Sequence, residues 1–210
     1  MSDPRTVAAN TTREKILQAA LEVFLDVGFE RANLEKVAAR AGVTKPTVYS
    51  HFGSKIGLLE AVAEQQMQRA ITLFSPTLAS TGDVRRDLTS FGKSFLKNML
   101  HPAAIRMHRF AIVETLTHPE LVAPLLGVGP LKLEEVLQQY LETETKAGRL
   151  CCQNSLLAAR QFIGLLTGAD FLTILVTQVV PSDAELKKRI TAAIDMFLKA
   201  YATAESADEN

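Results

Sequence analysis

Residues 41–55, AGVTKPTVYSHFGSK, put Thr44, Lys45, Thr47, Tyr49, Ser50, His51 and Lys55 close together in the chain. These side chains offer hydroxyl, ammonium and imidazole hydrogen-bonding groups. Such groups suit binding to phosphate oxygens and base edges, not bond-breaking chemistry. Thr44 is placed to cap a short helix, whose free N-terminal N–H groups and dipole favour an anion. Lys45 and Thr47 project from its first turn towards base edges or phosphates. Tyr49 and His51 follow as donors to phosphate oxygens, and Val48 is the one side chain expected to pack inward, against Val37. The competing reading is a surface hairpin whose polar face meets only water.

The elements that must position these residues are helical. Apolar residues at Ile16, Ala20, Val23, Phe24 and Val27 recur near a period of 3.6 and predict a helix over 11–27. Thr11 with Glu14 reads as a capping box at its front, and Gly28 as its C-terminal stop. Asn33 is placed to cap a second helix over 34–41, ended by Gly42, with a third over 45–51. Two short helices about a glycine turn make a helix-turn-helix, whose second member enters the major groove. Ser54 is placed to cap a fourth helix that Ser75-Pro76 ends, with a linker to Gly82. Further helices are predicted over 83–100, from Pro102 to about 116, and over 131–147. His118-Pro119 starts a short one, and Gly127-Val128-Gly129-Pro130 breaks the chain. One long helix is expected over 154–180, then a last one opened by a Ser182/Glu185 capping box. The tail over 205–210 is expected to be disordered. The fold class is all-α.

Residues 12–63, TREKILQAALEVFLDVGFERANLEKVAARAGVTKPTVYSHFGSKIGLLEAVA, resemble the DNA-binding domain of tetracycline-repressor (TetR) family regulators. The shared pattern runs through T-R-x-x-I-L-x-A-A, F-x-x-x-G-F, V-A-x-x-A-G-V-T and T-V-Y-x-H-F-x-S-K-x-x-L. Asn33 stands where Ser or Thr is usual. Pro46 stands where Gly or Ala is common, and removes one N–H from the DNA-facing turn. By this resemblance Lys45, Thr47 and Tyr49 contact bases or their surroundings, Thr44, His51 and Lys55 contact phosphates, and Pro46 and Ser50 share that surface. The segment 109–121, RFAIVETLTHPEL, is similar to a C-terminal pattern of the AefR-like subgroup; Arg109 and Glu114 read there as a structural pair.

The resemblance implies a helix-turn-helix domain over 1–55 and a larger effector-binding and dimerisation domain over 56–204. Dimerisation has independent support, because Asp170 is the only charged residue between Gln161 and Pro181. A helix apolar all round must be covered on more than one side. The expected interface comprises Leu157, Gly164, Gly168, Phe171, Leu175, Leu186, Ile190, Ile194, Phe197 and Tyr201. A fully internal hairpin in a monomer is the alternative. Phe74, Phe91, Phe95, Met99, Met107, Phe110 and Phe162, with His108 and His118 as polar groups, are expected to line a pocket for a small, mostly apolar effector. Each of them is also explicable as ordinary core.

The expected function is a ligand-responsive regulator, a repressor by family default, binding a palindromic operator as a homodimer. The expected partners are double-stranded DNA, a small-molecule effector and a second copy of the chain. No cofactor and no metal is expected. The alternatives are a helical dimeric interaction protein or a metal-sensing regulator using His101, His108 and His118. Enzymatic function is not expected: H-E-x-x-H, G-x-S-x-G and a glycine-rich phosphate loop are all missing from the sequence. Net charge is zero, but residues 1–55 hold eight Lys/Arg against six Asp/Glu, a slight basic bias. No run of eighteen apolar residues occurs, so no membrane span is expected. With only Cys151 and Cys152, adjacent in sequence, a reducing cytoplasmic location is expected.

Overall fold

The structure, a computed structural model, describes residues 4–74, 78, 80–122, 125 and 129–203. The expected chain break at 127–130 falls partly outside these residues, as does the linker after Phe74; the tail over 205–210 lies wholly outside them. The described chain is all-α. Its helices are α1 (Pro4–Arg31), α2 (Leu34–Ala41), α3 (Lys45–Phe52), α4 (Lys55–Phe74), α5 (Val84–Met99), α6 (Pro102–Thr117), α7 (Gly129–Lys146), α8 (Ser155–Thr167), α9 (Phe171–Thr177) and α10 (Asp183–Tyr201). A 3-10 turn, Pro119–Leu121, follows α6. One isolated antiparallel bridge joins Leu150 to Ala202.

Caps decide where most of these helices begin. Asn33 accepts from the Glu35 N–H, Asp83 from Arg86, and Asn154 from Leu157. The Gly57 N–H donates to Ser54 Oγ at 2.9 Å, as expected for a serine at the head of α4. Ser182 and Glu185 exchange both bonds of a capping box at the start of α10. The proposed box at Thr11/Glu14 does not start a helix, because α1 already runs from Pro4.

Packing divides the chain into two compact units, and not at residue 55. The first comprises Met1–Gln68 with Arg106–Gly129, the second Arg69–Ile105 with Pro130–Asn210. The first unit is larger than the expected 1–55 because its core needs more walls than α1–α3 supply. Ile16, Leu17, Ala20, Phe24, Val37 and Val48 are completed by Leu58, Leu59 and Val62 of α4 and by Phe110 and Leu121. In the second unit Leu88, Phe91, Leu96, Leu137, Leu141, Phe162, Leu166, Ile194 and Phe197 share one core. A buried polar network clamps the start of that unit: Asp87 accepts from the Thr81 hydroxyl at 2.6 Å and from Tyr140 Oη at 3.1 Å. Burial, with Glu144 and Asp87 nearby, pushes the Tyr140 phenol well above its ordinary range. Glu144, fully buried, accepts from Arg149 Nε at 2.5 Å and from Ser80. Burial opposes its charge, but the Arg149 and Ser80 hydrogen bonds outweigh it and hold the carboxyl below its usual range.

The expected long helix over 154–180 is two helices bent by 47°. Gly168 breaks it, with φ 71° and ψ 169°. Asp170 then pairs with Arg189 of α10, and Arg189 Nη1 also donates to the Thr167 carbonyl at 3.2 Å. The carbonyl and carboxylate at the break are thereby satisfied, which a break on an apolar helix requires.

Gly28 ends the regular part of α1 with φ 79° and ψ 167°, a region that essentially only glycine occupies. An added Cβ there would lie 2.7 Å from Glu114 Oε1, so the missing side chain also makes room for this buried carboxylate. Gly28→Ala is expected to destabilise the protein by about 1–3 kcal/mol in chemical denaturation. Gly164→Ala, helical and with nothing within 4 Å of the added methyl, should leave the monomer's stability unchanged or raise it by roughly 0.5–1 kcal/mol.

Candidate nucleic-acid interface

The surface starts at a turn. Asn33 fixes the first residue of α2, and Gly42, left-handed at φ 69°, closes the helix with its N–H on the Ala38 and Ala39 carbonyls. Two residues later Thr44 caps α3: the Thr47 N–H donates to Thr44 Oγ1 at 3.4 Å, and the two hydroxyls lie 2.8 Å apart. Pro46 sits in the first turn, where its missing N–H has no helical partner to lose. Val48 is 1% exposed and is the only fully buried side chain of α3. It docks the helix on the core that holds Val37. Phe52, half-buried, closes the helix against Arg13, whose guanidinium lies 5.5 Å from the ring centroid.

The other side of α3 is solvent-facing. Thr44, Lys45, Pro46, Tyr49, Ser50 and His51 are exposed, and Thr47 is half-buried. Tyr49 keeps 46% of its surface in water although it is a large aromatic residue. Ser50 Oγ donates back to the Thr47 carbonyl at 2.8 Å, so its hydroxyl is partly used within the helix. Lys45 Nζ donates to Glu35 Oε1 of α2 at 2.9 Å. This hydrogen bond and its charge raise the lysine above its ordinary pKa and lower the glutamate below its own. Sequence reasoning missed Glu35, because ten residues separate it from Lys45 and no helical period relates them.

Lys55 is placed otherwise than expected. Its ammonium donates to the Glu30 carbonyl at 2.8 Å and lies 4.7 Å from the Phe29 ring centroid. It ties the head of α4 to the end of α1, a structural role that competes with any phosphate contact.

The expected effector residues whose side chains are described divide between two cores and the surface. Phe91, Phe95, Met99 and Phe162 are packed into the core of the second unit, with Phe91 5.9 Å from Phe95 and 6.2 Å from Phe162 between ring centroids. Phe110 belongs to the core of the first unit, 6.4 Å from Phe24, and Met107 packs on that same core. His108 is exposed, and the side chain of Phe74 lies outside the described residues. Aromatic and methionine content marked buried positions, but two cores compete for such residues and composition does not say which core each joins. Arg109 is exposed while Glu114 is buried beside Gly28, so the expected Arg109–Glu114 pair is not formed among the contacts described.

The residues expected at a dimer interface are unevenly placed. Leu175, Ile190, Ile194 and Phe197 are buried within the chain's own core, and Phe171, Leu186 and Tyr201 are partly buried against it. An amphipathic helix buries its strongest apolar stripe at home first, and Leu175, Ile190, Ile194 and Phe197 are spent there, while Phe171, Leu186 and Tyr201 keep part of their surface. Gly168 serves the helix break and not a close helix crossing. What α8, α9 and α10 expose instead is Leu157 at 49%, Leu172 at 68%, Val176 at 70% and Met196 at 62%. Between α8 and α10 lies an open groove of about 380 Å³ lined by Gly164, Leu165, Met196, Phe197 and Ala200, with Gln161 and Tyr201 at its polar edge. Leu157 and Gly164 stay accessible. Among the described residues no group of three or more His, Cys, Asp or Glu side chains could hold a metal ion, and no single helix is long and apolar enough to cross a membrane.

Two family models match the chain: "Bacterial regulatory proteins, tetR family" over residues 16–62 and "AefR-like transcriptional repressor, C-terminal domain" over residues 86–203. The HTH-type transcriptional regulator SrpR of Pseudomonas putida is 27% identical over 80% of this chain and 78% of its own length. The HTH-type transcriptional activator FasR of Mycolicibacterium smegmatis is 36% identical over 42% of this chain, a match that spans only 41% of FasR. Among solved structures, a TetR-family regulator from Mesorhizobium loti superposes with a TM-score of 0.85 at 21% identity, over 93% of this chain and 98% of its own. The Flavonoid-responsive Regulator FrrA gives 0.80 at 25% identity, over 92% and 98%.

Thr44→Ala is expected to lower stability by about 1 kcal/mol, the usual cost of a lost cap, with helix loss confined to the α2–α3 region. Backbone amide exchange of residues 44–52 would locate the effect.

Proposed function

Because the chain belongs to the TetR family of bacterial transcriptional regulators, with an AefR-like C-terminal domain, we propose that it is a ligand-responsive repressor. It binds a palindromic operator as a homodimer and leaves it when a small, mostly apolar effector binds. The observation that carries the DNA part is the polarity of α3: one side docked through Val48, the other presenting Thr44, Lys45, Thr47, Tyr49 and His51. A helix of eight residues reaches few base pairs. Two copies related by a twofold axis read an inverted repeat with half-sites about 34–36 Å apart.

The second copy is proposed to sit on the face of Leu157, Gly164, Leu172, Val176, Met196 and Ala200. Four of these are large apolar side chains left in water by the single chain, more than scattered surface leucines require. The effector class rests on the apolar, aromatic interior of the second unit and on the flavonoid response that FrrA's name records. A ligand that favours one spacing of the two α3 helices, while DNA favours another, lowers DNA affinity by a coupling of ~1–3 kcal/mol, and DNA lowers ligand affinity equally. Helix α4 begins in the first unit and ends in the second, so it is the proposed connection. Repression follows the description of the matching C-terminal domain; FasR, an activator, is the reason to measure the sign.

Tyr49→Ala is expected to abolish preference for the protein's own promoter DNA over random DNA while the dimer stays intact by size-exclusion light scattering. Wild-type protein showing no such preference at moderate salt would sink the reading. Met196→Glu should shift the dimer to monomer and with it lose operator binding. In a promoter–reporter strain, deletion of the gene should raise expression; a fall would make the protein an activator.

A further inference from the structure

Glu35 sits where a DNA-binding surface has little use for a carboxylate. It occupies the first turn of α2, its N–H bound to Asn33 Oδ1 at 2.8 Å. From there it reaches across to the head of α3 and holds Lys45 Nζ at 2.9 Å, with 64% of its own side chain and 43% of the lysine's exposed. An exposed ion pair of this kind adds little to stability, and beside a polyanion its acidic member costs affinity. Its effect therefore falls on what Lys45 is able to bind.

Resting on the DNA-binding reading above, we infer that Glu35 is a specificity-determining residue, which withholds the Lys45 ammonium from backbone phosphates and directs it at a base edge. Phosphate contacts carry no sequence information and strengthen binding to any duplex. A lysine free to swing to the nearest phosphate raises operator and random DNA affinity alike. Held by Glu35, the ammonium keeps two further N–H donors and a restricted direction. Guanine O6 and N7 in the major groove accept such donors. A phosphate arriving at the same place meets a pair of net charge zero, with a carboxylate beside the ammonium. The pair acts through rejection of wrong contacts as much as through the right one.

The test uses full-length protein and four forms: wild type, Glu35→Gln, Lys45→Ala and the double variant. Each is titrated with operator and with scrambled duplex of equal length between 50 and 200 mM salt. Glu35→Gln is expected to bind scrambled DNA about two- to five-fold tighter, the fold-change of a released surface ion pair. Its log–log salt slope should steepen by about 0.9 for each phosphate that Lys45 gains. Operator affinity should rise less, so that the operator-to-scrambled ratio falls. In the Lys45→Ala background the same Glu35→Gln change should have little effect on scrambled DNA. An equal gain in both backgrounds would make Glu35 a general repulsive charge and overturn the inference. So would an unchanged ratio and slope, or equal weakening on both duplexes. If wild type and Tyr49→Ala do not differ on operator DNA, the DNA-binding reading has failed instead, and that outcome is separate from these.

Discussion

The recognition surface depends on a single buried side chain. Helix α3 has eight residues, too few to persist alone in water. Thr44 and Pro46 favour its first turn, but only Val48 buries a full side chain of it in the core. That economy leaves Lys45, Thr47, Tyr49, Ser50 and His51 as polar positions, oriented by Val48, by the half-buried Phe52 and by the Thr44 cap. Loss of the Val48 contact would leave α3 held by Phe52 and the turn, and the polar residues would point nowhere in particular.

The same economy explains why the core around α3 has to be built elsewhere. Val48 joins a core shared by Val37, Ile16, Leu17, Phe24 and the first half of α4. Phe110 and Leu121 complete it. A stretch from the middle of the chain is thus part of the first unit, within which Gly28 and Glu114 meet. Where an expected boundary at residue 55 separates reader from sensor, packing gives the reader's core a wall drawn from residues 106–129.

Local features were legible in the sequence, and features fixed by distant packing were not. The caps at Asn33, Thr44, Ser54 and Ser182 depend on neighbours within three residues, so side-chain type and spacing suffice to place them. The inward turn of Val48 follows from the helical period. Leu186, Ile190, Ile194 and Phe197 form a stripe equally suited to an internal core and to a partner. Only the competing helices decide, and α5 and α8 take it. The candidate effector residues carry the same ambiguity: Phe91 and Phe110 look alike in sequence but belong to different cores. The Glu35–Lys45 pair was invisible because two helices and a turn must fold before the residues meet.

The break at Gly168 shows how one polar residue redirects an apolar element. Without a turn signal other than the glycine, residues 154–180 read as one continuous helix. Two facts oppose continuity. Gly168 takes a conformation, φ 71° with ψ 169°, that carries the chain out of the helix. Asp170, the only charge between Gln161 and Pro181, would lie on an otherwise apolar stretch if the helix ran straight. At the bend it meets Arg189 instead, and the same guanidinium covers the carbonyl of Thr167. The charge that looked like an anomaly in an apolar helix is therefore what holds the bend, and the bend sets where α9 presents Leu172 and Val176. A substitution that kept the segment helical but removed the Asp170–Arg189 pair would change the exposed apolar face without touching any residue on it.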